Sequence, residues 1–121
     1  MLKQCPLCPG KKMTLTRMSC ECGKLHVEGE VQQPPLARLT GADRRLAEEL
    51  VVCGGNLKTV AEHFEITYPT LRKRLDSVIR KLQDERRKDH LSIESILARM
   101  ERGEMEMEEG IKRIGEIKGE L

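Results

Sequence analysis

The spacing of apolar residues along the chain changes after its first quarter. Up to residue 31, the alternating stretches "MTLTRM" and "KLHVEGEV" indicate paired β-strands. From Thr40 onwards, apolar residues recur at intervals of three and four, which is the period of an α-helix. The stretch "QQPPLARL" lies between the two patterns, and its adjacent prolines predict a short, stiff, extended connector. The chain is therefore expected to be mainly α, with a small β segment at its start.

Three helices are predicted in the middle of the chain. The first begins after a Thr40 cap, the second after an Asn56 cap, and "CGGN" separates them. The third begins after Thr67 and carries Pro69 in its first turn, where a missing N–H does no harm. Their apolar faces should meet in one small aliphatic core, made by Leu46, Leu50, Val51, Leu57, Val60, Ala61, Phe64, Leu71, Leu75, Val78, Ile79 and Leu82.

The last segment is predicted to be a helical hairpin. After the charged stretch "QDERRKDH", a new helix is expected to begin at a Ser92 cap and to end at Gly103. The pattern leaves open whether the helix from Tyr68 to Lys88 is continuous or breaks before the hairpin. Isoleucines at every third position suggest a second helix, which three glycines weaken by roughly 0.5 to 1 kcal/mol each: Gly110, Gly115 and Gly119.

These patterns divide the chain into four parts. Residues 1–31 are predicted to form a small β domain and 32–39 a proline-containing linker. Residues 40–90 are predicted to form the three-helix domain, and 91–121 the C-terminal hairpin.

Charge is distributed unevenly, although the formal net charge of the 121 residues is only +2. From Thr67 to His90 there are eight Lys or Arg against four Asp or Glu, whereas from Leu91 onwards there are five against eight. The basic surface is therefore concentrated on the third helix. The N-terminus has no apolar run typical of a signal sequence, and no stretch is long enough to span a bilayer, so a cytoplasmic protein is expected.

Four of the five cysteines fall within residues 5 to 22 and predict a structural zinc site. "CPLC" supplies Cys5 and Cys8, and "CEC" supplies Cys20 and Cys22. Because a domain of this size cannot bury enough apolar surface, zinc would take the place of a core. His26 is an alternative ligand, although a histidine on the strand surface is the simpler interpretation. A redox "CPLC" pair and metal-free structural cysteines are less favoured. Cys53 is expected to be a small buried apolar residue.

The stretch "NLKTVAEHFEITYPTLRKRL" has the form of a helix-turn-helix, in which a bracing helix presents the start of a second helix to the DNA major groove. On that second helix, Lys73 and Arg72 could reach guanine edges, and Tyr68 and Thr70 a phosphate or a thymine methyl. The whole predicted DNA-facing set is Tyr68, Pro69, Thr70, Arg72, Lys73, Arg74, Ser77 and Arg80. The simpler alternative is an ordinary solvated charged face.

Three stretches, "CPLCPGKKMTLTRMSCECG", "EGEVQQPPLARL" and "GGNLKTVAEHFEITYPTLRKRLDSVI", together resemble the bacterial family called domain of unknown function 2089. The resemblance covers about residues 5 to 82 and implies a zinc ribbon joined to a helix-turn-helix, without an established activity. Residues 92 to 118 resemble the short C-terminal helical-hairpin domains. The chain departs from the family in two ways: the second cysteine pair has one intervening residue, and Glu65 stands where such turns usually have glycine. A positive φ at Glu65 would cost about 1 kcal/mol.

The expected function is that of a DNA-binding transcriptional regulator. Because one recognition helix reads few bases, pairing of two copies through the hairpin is expected to add a second recognition helix. The main alternative is an adaptor that binds a protein such as RNA polymerase through the zinc ribbon and the hairpin. An enzyme is not expected, because the three histidines lack a catalytic constellation and no phosphate-binding loop is present. RNA binding is disfavoured by the near absence of aromatic residues.

Overall fold

The computed structural model describes residues 4–29 and 31–120. It divides the chain into two compact units, Met1–Gln32 and Gln33–Leu121. The described residues form four α-helices, one short 3-10 helix and one two-stranded antiparallel sheet. The expectation of a mainly helical protein with a small β segment is confirmed.

The N-terminal unit is built on a short hairpin. Strand β1 (Arg17–Ser19) pairs with β2 (His26–Glu28), and Met18 lies opposite Val27. Both strands are shorter than the alternating stretches suggested, and Glu30 of the second stretch lies outside the described residues. Within residues 4–29 every side chain is exposed except that of Cys5, which is half-buried. No apolar core therefore holds this part of the chain together.

The second unit contains all four α-helices: α1 (Gly41–Val52), α2 (Leu57–His63), α3 (Tyr68–Glu101) and α4 (Met107–Lys118).

Side-chain caps begin the first three helices as the sequence predicted. The hydroxyl of Thr40 accepts a hydrogen bond from the N–H of Asp43 at 3.3 Å. At the start of α2, the side-chain oxygen of Asn56 accepts a hydrogen bond from the N–H of Thr59. At the start of α3, the hydroxyl of Thr67 accepts one from the N–H of Thr70. Each cap satisfies an N–H that the helix itself leaves unpaired, so the caps set where these helices begin.

The core of the second unit lies among the first three helices. Two predicted members lie outside it, since Val51 is 79% exposed and Ile79 is 39% exposed. Val51 follows Leu46 by five positions, which places it about 140° away around the helix axis, and Ile79 lies about 80° from Leu71. Leu39 joins the core from the preceding segment. The buried members are Leu39, Leu46, Val60, Ala61, Leu71, Leu75 and Val78.

The expectation of an extended connector over 32–39 is wrong for its second half. Pro35–Arg38 forms a 3-10 helix, with Pro35 in its first turn, and this helix packs against α3. The cause is tertiary: Leu39 is buried in the core. In addition, the Arg38 guanidinium forms ion pairs with Glu85 at 3.4 Å and with Asp89 at 2.8 Å. The segment is thus part of the helical unit.

Helix α3 is continuous over 34 residues, so the expectation of a new helix after a Ser92 cap is wrong. The charged stretch between Leu82 and Leu91 contains no glycine or proline. Neighbouring turns are joined by contacts such as the Lys88–Glu85 ion pair at 3.0 Å and the His90–Glu94 side-chain contact at 3.1 Å. The Ser92 hydroxyl donates back to the carbonyl of Lys88 within the helix. At 1.5 Å per residue, α3 is about 51 Å long.

Helix α4 packs against α3. Helix α3 ends at Glu101. Just beyond it, Gly103 has a left-handed φ of 73°, and the N–H of Glu104 bonds to the carbonyl of Arg99. Met105, in the connection, is buried, as is Ile96 on α3. Gly110 is buried as well, and a side chain there would overlap the Met100 side chain. The glycine that weakens α4 as a helix therefore permits its close approach to α3.

None of the described helices combines the length and the apolar character that crossing a membrane requires.

Candidate nucleic-acid interface and metal-ligand clusters

A tight turn joins α2 to α3. The N–H of Ile66 bonds to the carbonyl of Ala61 at 3.1 Å, and Glu65 between them has a φ of 55°. This is the αL end of a helix, where glycine is the usual residue. The position does require a positive φ, so the strain predicted for Glu65 is present.

A side-chain cap and a buried leucine together fix the start of α3. The Thr67 hydroxyl caps the helix and lies 2.9 Å from the hydroxyl of Thr70, while Pro69 occupies the first turn. One turn further on, Leu71 is fully buried in the core. Cap and core together fix both the axial position and the rotation of the first turns of α3, and hence the side chains that face away from the core.

The outward face of α3 carries most of the predicted DNA-contacting residues. Pro69, Lys73 and Arg80 lie on the side of the helix opposite Leu71 and Leu75, and all three are exposed. Tyr68 and Thr70 are exposed beside them. Among the described residues, no carboxylate forms an ion pair with Lys73 or Arg80. Both side chains are therefore exposed to solvent and are not held in an ion pair with a described residue.

Two of the three remaining members of the predicted set, Arg72 and Arg74, have partners in the protein. Arg72 forms an ion pair with Asp76 at 3.3 Å, one turn along. The guanidinium of Arg74 lies 5.6 Å from the centre of the Phe64 ring, which Arg45 approaches at 5.7 Å.

Arg74 lies only about 60° around α3 from Leu71, which brings it against α2. Ser77 is half-buried. The structure thus places Lys73 and Arg80 furthest outward, Arg72 in a pair, and Arg74 and Ser77 at the margin of the face.

Cys5 and Cys8 lie in a closed loop. The N–H of Cys5 bonds to the carbonyl of Lys11, the N–H of Lys11 bonds to the carbonyl of Cys8, and the two sulfur atoms are 3.3 Å apart. The Cys8 thiol donates to the sulfur of Cys5, and this bond, with the backbone N–H groups of Leu7 and Cys8, lowers the pKa of Cys5. The same interaction raises the pKa of Cys8. The loop therefore stabilises one thiolate.

Cys20 and Cys22 lie in the turn of the β-hairpin. The N–H of Gly23 bonds to the carbonyl of Cys20, and the N–H of Lys24 lies 3.5 Å from the sulfur of Cys22. That N–H, followed by the contact with Cys20, lowers the pKa of Cys22. His26 is exposed on β2, with Nδ1 2.8 Å from the hydroxyl of Ser19. It lies on the strand surface, where the simpler interpretation placed it.

The donor chemistry of the two pairs suits zinc, because in each pair the pKa of one cysteine, Cys5 or Cys22, is lowered by hydrogen bonds to its sulfur. The four sulfur atoms do not, however, form one group of three or more ligands among the described residues. The pairs are each formed locally, and the geometry does not join them.

Another group of ligand atoms lies in the helical unit: Glu49 on α1, Cys53 directly after α1, and His63 at the end of α2. All three ligand atoms lie within 4.8 Å of one another. The sulfur of Cys53 is 3.7 Å from a carboxylate oxygen of Glu49 and 3.7 Å from Nδ1 of His63. The carboxylate of Glu49 also contacts Nδ1 of His63 directly.

The contacts within this group shift the pKa values of Glu49 and Cys53. The hydrogen bond with His63 lowers the pKa of Glu49 despite partial burial. Burial, followed by the Glu49 charge, raises the pKa of the Cys53 thiol. Cys53 was expected to be a small buried apolar residue. It is half-buried and packs against the core, but its sulfur also meets a carboxylate and an imidazole, which that expectation did not include.

Sequence analysis did not find this group. The signal available was the spacing of Glu49 and Cys53, four positions apart on one helix face. His63 is ten residues further on, and only the packing of α2 against α1 brings it near. No local pattern predicts that contact.

Comparison with protein-family models matches residues 39–85 to the family described as "Domain of unknown function (DUF2089)-HTH". The matched segment runs from the buried Leu39 through α1 and α2 into α3, and so includes the candidate face and the Glu49–Cys53–His63 group. Comparison with curated proteins and with solved structures gave no match. Over residues 39–85 the chain is thus similar to the DUF2089 helix-turn-helix family.

Proposed function

We propose that this protein is a cytoplasmic DNA-binding transcriptional regulator in which α2, the turn at Glu65 and the start of α3 act as a helix-turn-helix. The observation that carries the proposal is the outward face of α3, where Lys73 and Arg80 stand exposed and form no ion pair with a carboxylate of residues 4–29 or 31–120. A capped helix start and a buried leucine hold this face in one orientation, which is the requirement for reading base edges reproducibly.

Each side chain of the face suits a different contact. Lys73 projects directly outward and can donate to guanine O6 and N7 in the major groove. Tyr68 and Thr70, at the helix start, can donate to phosphate oxygens, while Arg80 lies two turns on and can reach the backbone. Arg74 keeps its guanidinium over Phe64, so its contribution is to hold α2 against α3 and to add positive charge at the margin.

The Arg72–Asp76 pair bears on specificity. The carboxylate of Asp76 holds the guanidinium of Arg72 in place. Arg72 would therefore lose less side-chain entropy when it binds a base. The same carboxylate repels nearby phosphates, so the pair disfavours sequence-independent binding.

Zinc has a structural role in the proposal. Cys5, Cys8, Cys20 and Cys22 would hold one ion, because residues 4–29 have no buried side chain to stabilise them otherwise. All four cysteines would bind the ion as thiolates, so no open coordination position would be left for catalysis.

Self-association is part of the same proposal. Met107 on α4 is 70% exposed and Ile111 is 60% exposed, and two such residues on one short helix offer an apolar surface to a second copy. A dimer would present two α3 helices to successive half-sites. Sedimentation should show a dimer that Met107→Glu with Ile111→Glu dissociates, while Glu108→Lys leaves it intact.

The decisive experiment selects bound duplexes from a random DNA pool with the full-length, zinc-loaded protein. We expect an enriched motif that is lost with Arg72→Ala and Lys73→Ala together. Affinity for that motif should fall with salt, and each lost phosphate contact should reduce the logarithmic slope by about 0.9. Arg86→Ala with Arg87→Ala is the matched control, because it removes the same charge from the middle of α3.

If the control reduces DNA binding as much as the double variant does, the binding is only electrostatic. If no motif is enriched, the second candidate function, a protein-binding adaptor, is favoured. One observation favours that alternative: Leu7 and Leu25 of the N-terminal unit are strongly exposed, at 90% and 60%. Interfaces with proteins use such apolar residues.

A further inference from the structure

Glu49, Cys53 and His63 bring three different metal-binding groups to one place in the helical unit. Glu49 and Cys53 share a face because they are four residues apart, and the N–H of Cys53 still bonds to the carbonyl of Glu49 at 2.9 Å. His63 reaches them from the last residue of α2. The cluster thus joins the C-terminal ends of two helices.

The distances from the sulfur are those of ligands around one ion. Zinc binds sulfur at about 2.3 Å and nitrogen or oxygen at about 2.0 to 2.2 Å, so tetrahedral ligands lie about 3.5 to 3.7 Å from the sulfur. Cys53 sulfur is 3.7 Å from both partners. The Glu49 carboxylate and the His63 imidazole are now in hydrogen-bond contact, so a rotation of the carboxylate would make room for the ion.

The donors also select the class of metal. A thiolate, an imidazole and a carboxylate suit a borderline ion such as Zn²⁺ or Co²⁺ better than Mg²⁺ or Ca²⁺, which prefer oxygen ligands. Both Glu49 and His63 are accessible to solvent, since 29% and 51% of their side chains are exposed. An ion can therefore enter without unfolding the domain.

We propose that Glu49, Cys53 and His63 form a second metal site, which binds one Zn²⁺ or similar divalent ion through three protein ligands and one water. The site belongs to the helical unit and is independent of the N-terminal cysteines. By tying α1 to α2, the ion stabilises the packing that supports α3. The proposal does not depend on DNA binding.

The test is a Co²⁺ titration of the full-length, reduced and metal-free protein, followed by absorption, with Zn²⁺ displacement to confirm a shared site. Two equivalents are expected. Cys5→Ser with Cys8→Ser should leave one equivalent, with a thiolate-to-cobalt band from Cys53. Cys53→Ser should also leave one, and all three substitutions together should leave none.

His63→Gln provides a second test that does not alter the half-buried Cys53 position. It should lose the second equivalent and the rise in Tm that the metal produces in the wild type. His90→Gln is the matched control, because His90 pairs with Glu94 on α3. It should retain both equivalents.

The proposal is overturned if Cys53→Ser and His63→Gln both keep the wild-type stoichiometry and spectrum. It is equally overturned if the wild type binds a single equivalent that disappears with Cys5→Ser and Cys8→Ser, because the Glu49–His63 contact would then be an ion pair only. Failure of the N-terminal zinc site gives a different result, a single equivalent that survives those two substitutions.

Discussion

Glu65 occupies the left-handed region of backbone conformations at the end of α2, with a φ of 55°. For a residue with a side chain this conformation costs about 1 to 2 kcal/mol, because Cβ crowds the following carbonyl. The position cannot relax, because the Ile66 N–H is bonded to the Ala61 carbonyl and Thr67 must then cap α3. The strain thus serves the geometry between α2 and α3.

Glu65→Gly should stabilise the protein by about 0.5 to 1 kcal/mol, because the strain removed exceeds the added entropy of the unfolded chain. Urea unfolding monitored by circular dichroism measures the difference.

The matched control is Glu62→Gly, the same substitution within α2, which should destabilise by about 0.5 to 1 kcal/mol. A loss of stability at both positions would contradict the left-handed conformation of Glu65.

At the scale of the element, α3 is one helix where two were expected. Leu71, Leu75, Val78 and Leu82 serve the core of the three-helix region, whereas Met100, near the end of α3, lies against Gly110 of α4. The charged stretch between them remains helical, because its side chains pair along the helix and none of its residues breaks it. Continuity makes α3 a rigid connection between these two parts.

Thr67→Ala and Ser92→Ala should have opposite effects. The Thr67 hydroxyl caps α3, and its loss should cost about 1 kcal/mol. Ser92 lies in the exposed interior of α3, where alanine should be neutral or stabilising by up to about 0.5 kcal/mol.

Thermal unfolding of the two variants at the same concentration makes the comparison. Equal losses of stability would show that a helix begins at Ser92, contrary to the continuous α3.

The packing of α4 on α3 depends on the absence of a side chain at Gly110. Gly110→Ala gains up to about 1 kcal/mol in helix propensity but places a methyl group against Met100. In a Met100→Ala background that overlap disappears. We therefore expect Gly110→Ala to be more favourable there by about 1 kcal/mol than in the wild type, measured as a double-mutant cycle.

The control background is Met107→Ala, because Met107 lies on α4 with Gly110 but is strongly exposed. Coupling of Gly110 to Met107 as strong as its coupling to Met100 would contradict the observed helix contact.

At the scale of the whole helical unit, the segment before α1 is held to the middle of α3. Leu39 enters the core, and Arg38 places its guanidinium between Glu85 and Asp89. Both carboxylates are less than one-fifth exposed, so they depend on Arg38 more than surface acids would. This contact fixes the path of the chain as it enters the three-helix region.

Arg38→Ala should therefore destabilise the protein by about 1 to 3 kcal/mol, since it leaves the half-buried Asp89 without its cation and Glu85 with only the Lys88 pair. Arg87→Ala removes a cation from an exposed pair with Asp84 on the same helix and should change stability by less than about 1 kcal/mol. Chemical denaturation of both variants tests the contrast, and equal effects would indicate that the Arg38 pairs contribute no more than surface pairs.

Local patterns determined much of this protein from its sequence alone. The caps at Thr40, Asn56 and Thr67 and most of the core leucines and valines were predicted correctly, because a cap or an apolar stripe depends on residues within four positions of each other. The exposed basic face of α3 follows from the same periodicity, once Leu71 is known to point inward.

Tertiary structure decided the features that depend on residues distant in sequence. The 3-10 helix at 35–38 forms because Leu39 and Arg38 find partners in the core and on α3. The Glu49–Cys53–His63 group exists because α2 packs on α1, and Gly110 is needed because α4 approaches Met100. In each case the energy comes from contacts that the chain makes only after it has folded back on itself, and no local pattern carries that information.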